Sequence, residues 1–76
     1  MSFHLEWERL ARQAYDQIPP HLRLPVADAI IRLMIEGIPT DAEPGQDGRW
    51  TLHAGDYVLV FVENELDIYL VAIEHA

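Results

Sequence analysis

The chain has 76 residues, half of them hydrophobic, no cysteine and a formal net charge of −8. A chain this short makes one domain, residues 1–76. It buries only about 60–65% of its unfolded surface and has no disulfide or thiolate metal site to compensate. Its five cations are all arginine, at positions 9, 12, 23, 32 and 49, against thirteen carboxylates, so phosphate backbones are repelled and nucleic acid is not the expected partner.

In chain order, "SFHLEW" alternates: Phe3, Leu5 and Trp7 fall on one face and His4 and Glu6 on the other, which predicts a half-buried strand. The period then changes. Trp7, Leu10, Ala11, Ala14 and Ile18 recur at three and four and predict a helix, with Glu8–Arg12 and Arg12–Asp16 spaced to support its wet side. Pro19 and Pro20 end it, since neither has an N–H to donate. "HLRL" reads as a bridge to a second helix whose first turn holds Pro25. Its core stripe is Val26, Ala29, Ile30, Leu33 and Met34, widened by Ile31 and Ile35, and Gly37 suits its C-terminus. Residues 37–48 are rich in Pro, Gly and Asp and read as a loop. "RWTLHA", "YVLVFV" and "LDIYLVAIEH", separated by the turns "GD" and "ENE", predict a three-strand antiparallel meander. No run is long and apolar enough to span a membrane, and "MSFHLEWERL" lacks the basic-then-apolar order of a secretion signal. The expectation is a soluble, cytoplasmic α+β protein of order β-α-α-β-β-β, with two helices on one face of a small, mostly antiparallel sheet. Trp7, Leu10, Leu33, Trp50 and Phe61 are its expected core.

That order, with "GDYVLVFV" at 55–62 and the late "IEH", resembles the RelE/ParE toxin superfamily. Members carry a Gly-Asp-Tyr-Arg-Val-hydrophobic-Tyr segment on the middle strand of the meander and a Gly-His-Arg-like segment near the end. Gly55, Asp56 and Tyr57 match, Phe61 stands at the final aromatic and His75 at the late histidine. The arginine after the tyrosine is Val58 here, and the one after the histidine is Ala76. Active members resemble ribosome-dependent mRNA endonucleases, which need cations against the developing phosphorane charge and a base for the 2′-hydroxyl. The resemblance therefore implies a toxin-like protein that lacks endonuclease activity and acts through protein association. An active toxin of a type II toxin–antitoxin system is the alternative, as an mRNA endonuclease or as a gyrase inhibitor of the ParE branch, which also lacks the endonuclease residues.

Three constellations compete for the site. His75 and His53, with Arg49 on the strand of His53, offer an acid, a base and a cation if they share a face, with Glu6 or Glu63 as a carboxylate. His4 and Glu6, approached by His53 and His75, would offer zinc ligands, but no recognised ligand spacing is present; no metal and no cofactor is expected. The third is an interaction face. If Tyr57, Leu59 and Phe61 face the helices, then Val58, Val60, Val62, Tyr69, Val71 and Ile73 face away from them. A monomer seldom exposes such a patch, so a second copy (a homodimer) or an antitoxin-like protein is the expected partner.

Overall fold

In a computed structural model, which describes residues 2–76, the chain forms β1 (His4–Trp7), α1 (Arg9–Asp16), α2 (Pro20–Glu36), β2 (Glu43–Pro44), β3 (Trp50–Ala54), β4 (Tyr57–Asn64) and β5 (Asp67–His75). The five strands make one sheet in the order β1-β5-β4-β3-β2. β1 runs parallel to β5, and the remaining pairs are antiparallel. This is the expected α+β arrangement with one addition. The 37–48 segment contributes the two-residue β2 and a short 3₁₀ turn at Gln46–Gly48.

α1 lies on the sheet through small residues. Ala11 is fully buried and Ala14 half-buried, which lets the helix approach β5 closely. Leu10 falls off that stripe and is 69% exposed, so it is not the core residue that its spacing suggested. Trp7 meets Tyr15 edge-on at 5.4 Å and lies under the Arg12 guanidinium at 5.3 Å, at the rim of the core rather than inside it. Trp50 is half-buried in the same way.

α2 starts at Pro20, five residues before the expected Pro25. Pro20 takes the first-turn place where a missing N–H costs nothing, and Pro25 sits inside the helix, where it leaves one i→i−4 bond unmade. Arg23 closes the turn between the helices. It donates to the carbonyl of Ile18 at 2.8 Å and stacks over Tyr15 at 5.4 Å. At the other end Gly37 adopts φ +77°, and a Cβ there would stand 2.6 Å from the Phe3 ring. The Phe3 N–H donates to the Met34 carbonyl, so the end of α2 is latched to the start of the sheet.

The core lies between the helices and the sheet. Phe61, Leu33, Leu52, Leu59, Ile68, Leu70 and Val26 are its largest fully buried side chains. Leu33 and Phe61 are thus placed as expected. A register shift between Val60 and Phe61 decides the rest. Val60 faces Ala72 and Phe61 faces Leu70, which leaves Val71 as the extra residue of a β-bulge. Strict alternation put Ile73 on the outer face; the bulge turns it into the core, where it is 9% exposed beside Leu59.

Outside the core, Arg32 holds the 37–48 segment, with Nη2 2.6 Å from Asp41 Oδ1. That hydrogen bond draws the Asp41 carboxyl below its usual range. A depressed carboxyl stabilises the fold above its unfolded-state pKa, and the contribution is lost as pH falls through the folded value. Carboxyl NMR titration should therefore find Asp41 low in wild type and shifted upward, toward the ordinary aspartate range, in Arg32→Ala. For the core, urea denaturation should show Phe61→Ala losing about 3–5 kcal/mol and Leu10→Ala staying within about 0.5 kcal/mol. A large loss at Leu10 would mean that α1 is rotated from the position described.

Candidate functional site

The sheet face turned away from the helices follows from the strand registers. Thr51 pairs with Val60 and His53 with Val58, so β3 shows Thr51 and His53 on the side of the valines. Tyr69 pairs with Val62, Ala72 with Val60 and Glu74 with Val58. On β1, His4 pairs with Asp67 and Glu6 with Tyr69. The centre of this face is Val58, Val60, Val62, Tyr69 and Ala72. Val60, between Thr51 and Ala72, is only 8% exposed, and the others are half-buried. The apolar surface is therefore flatter and better covered by its own neighbours than six exposed side chains would be.

At the bulge the apolar surface turns a corner. Val71 meets Glu8, Arg9 and Leu10 in a shallow cleft of about 270 Å³. Leu10, read from the sequence as core, instead extends the outer apolar surface. The signal for this was present in the run Ala11, Ala14 and Ile18, which makes a sufficient buried stripe without it.

Carboxylates ring the patch. Glu6, Asp67 and Glu74 lie on β1 and β5, and Glu43 pairs with Thr51 at the far edge. His4 Nδ1 stands 3.1 Å from Glu6 Oε2 and 3.5 Å from Asp67 Oδ1. Arg49, leading into β3, and Arg9, at the cleft, are the nearby full cations. Among the described residues no cluster of His, Asp and Glu is arranged to hold a metal ion.

The histidines do not converge. His75 pairs with Tyr57 and stacks on its ring at 4.8 Å, on the helix side of the sheet. There it lines a second cavity of about 270 Å³ with Ala14, Gln17, Ile18, Tyr57 and Ile73. His53 pairs with Val58 and faces the other way. The expectation that His75, His53 and Arg49 share a face is therefore corrected. Arg49 and His53 lie on the outer side, and the sheet separates them from His75. The physical reason is period-two alternation from Tyr57 to Val58. A general acid and base on opposite faces cannot reach one phosphodiester.

No family model and no curated protein matches the sequence. Solved structures do match in fold. The archaeal RelE–RelB complex from Pyrococcus horikoshii is similar with TM-score 0.80 and 14% identity, over 99% of this chain and 96% of that one. The isolated E. coli RelE toxin gives 0.84 and 10%, over 99% and 85%. TrmO from P. aeruginosa gives 0.70 and 23%, over 96% of this chain but only 33% of its own. The chain thus has the fold of RelE toxins, two helices on a mostly antiparallel five-stranded sheet, and the same fold occurs as a portion of a longer protein.

The separation of the histidines is directly measurable. Nuclear Overhauser contacts should join the rings of His75 and Tyr57, and His53→Ala should leave the His75 resonances in place. A contact between the two histidine rings would contradict the registers.

Proposed function

We propose that this chain is a toxin-like member of the RelE/ParE superfamily that works by binding a partner protein and does not cleave mRNA. The observation that carries this reading is the outer sheet face: an apolar centre of valines inside a ring of carboxylates. A surface that must hold RNA and stabilise a phosphorane needs concentrated positive charge, and mutual repulsion between this rim and phosphate works against both binding and transition-state stabilisation. Val58 occupies the family's arginine position and faces outward at the middle of this surface. The same surface suits a cationic segment with apolar anchors. Desolvated branched side chains supply affinity at the centre, and opposite charges at the rim steer approach.

The partner we infer is antitoxin-like. The support is the RelE fold itself, since a structural neighbour was crystallised as a RelE–RelB complex. The net charge of −8 favours a basic partner over an acidic one.

Expression in a bacterial host should leave growth unaffected, because the cationic positions are absent. Growth arrest relieved by His75→Ala would overturn the reading in favour of an active endonuclease. Growth arrest that persists in His75→Ala, with gyrase supercoiling inhibited in vitro, would overturn it in favour of a ParE-type inhibitor.

A further inference from the structure

The cavity lined by His75 lies on the helix side of the sheet, away from the outer face. It owes its shape to the β-bulge. The bulge reverses the parity of β5, so that Ile73 and His75 join Ile68 and Leu70 on the helix side, with His75 directly beside Tyr57. Near them α1 presents Ala14, too short to fill the space, and the helix ends at Asp16, with Pro19 and Pro20 soon after. The corner between the last turn of α1 and the β4–β5 pair stays open, as a cavity of about 270 Å³.

Tyr57 is the decisive residue of the lining. It is only 6% exposed, yet its hydroxyl makes no hydrogen bond to any described residue. A buried tyrosine hydroxyl ordinarily has a partner. Nor is this hydroxyl sealed inside the protein: among the described residues, the sealed and unpaired side-chain atom is Nε of Arg23. Tyr57 therefore keeps its small exposure at the cavity that it lines. The Gln17 carboxamide and the His75 imidazole are the other polar groups there, and Ile18 and Ile73 are well-buried apolar walls.

We infer that this cavity binds a small, flat, uncharged molecule, a single heteroaromatic ring bearing an amide. Size sets the first limit. The volume lies just below the roughly 300–1,000 Å³ of pockets for drug-sized ligands, which leaves room for one ring and a substituent. Charge sets the second. The lining holds no carboxylate and no guanidinium, so a charged ligand would lose hydration without gaining a counter-charge. Arg23 is engaged elsewhere, on the Ile18 carbonyl at 2.8 Å and the Tyr15 ring, and does not line the cavity. Hydrogen bonding sets the third. A hydroxyl, a carboxamide and an uncharged imidazole can each both donate and accept. An amide answers them, because its N–H and C=O lie side by side. Flatness follows from the Tyr57 and His75 rings, which are 4.8 Å apart, tilted by 36°, and offer an aromatic surface to a third ring. A ligand of about nine heavy atoms in a cavity open to solvent binds weakly, with Kd on the order of 1 mM.

Nicotinamide, one ring with one uncharged amide, and nicotinate, its anionic counterpart of the same shape, test this against the ¹⁵N-labelled full chain. Nicotinamide should give saturable shifts of the backbone amides of Ala14, Ile18, Tyr57, Ile73 and His75 and of the Gln17 side-chain amide. Nicotinate should bind about tenfold more weakly. Tyr57→Phe should keep the spectrum and the urea midpoint of wild type, because the hydroxyl has no partner in the protein, and should weaken nicotinamide about fivefold. Gln17→Leu, at an exposed position where the fold tolerates the change, should weaken it by a similar factor. The proposal is overturned by an absence of saturable nicotinamide shifts, by shifts centred away from the cavity, by equal binding of nicotinate, or by undiminished binding in either variant. A Tyr57→Phe chain that loses stability would show the hydroxyl to be engaged within the protein, and would overturn it as well.

Discussion

Side-chain alternation along β4 governs this molecule. Tyr57, Leu59 and Phe61 point to the helices and are almost wholly buried, which fixes the direction of Val58, Val60 and Val62. A slip of one residue would put three valines in the core and two aromatic rings in water, so the register is strongly specified. Everything of functional interest then inherits its side of the sheet. Val58 carries His53 and Glu74 with it to the outer face, and Tyr57 carries His75 to the helix side. The bulge at Val60 and Phe61 is the one place where the rule changes. It lets Ile68 and Leu70 share the core with Ile73, although they differ in parity.

This explains what the sequence could and could not disclose. Element order, the strand parity of β4, and the burial of Leu33 and Phe61 were legible, because long periodic segments carry their own signal. The bulge was not, because β5 is apolar at nearly every position and period-two counting cannot detect an extra residue there. Ile73 was misplaced for that reason, and the grouping of His75 with His53 failed because a hairpin's register cannot be read from sequence separation alone. Leu10 was misjudged differently: its spacing suits a helical stripe, but α1 rests on Ala11 and Ala14, and Leu10 lies beside that line at the exposed cleft with Val71. The start of α2 was placed five residues late because Pro20 and Pro25 are both acceptable first-turn prolines by themselves.

The outer sheet face combines an apolar centre with an acidic rim. Neither an acidic balance nor a row of valines separates a solubilised domain from a binding one. On this face the two are superposed: the carboxylates of Glu6, Glu43, Asp67 and Glu74 surround the valines. The outer sheet face and the exposed side of α2, with Leu24, Ile31 and Ile35, lie on opposite layers of the fold. A chain of this size has little core to spare, and coverage of either surface adds stability by mass action.

The central claim is that the outer sheet face accepts a basic, apolar segment and rejects RNA. It is tested most directly by following the amide resonances of the ¹⁵N-labelled protein during two titrations. One uses a synthetic amphipathic peptide of lysine and leucine, and the other a single-stranded RNA oligonucleotide. The account predicts that the peptide shifts Val58, Val62, Tyr69 and Val71, less so at high salt, while the RNA leaves these resonances unmoved. Saturable RNA shifts centred on Arg49, His53 and Val58, with none from the peptide, would contradict it.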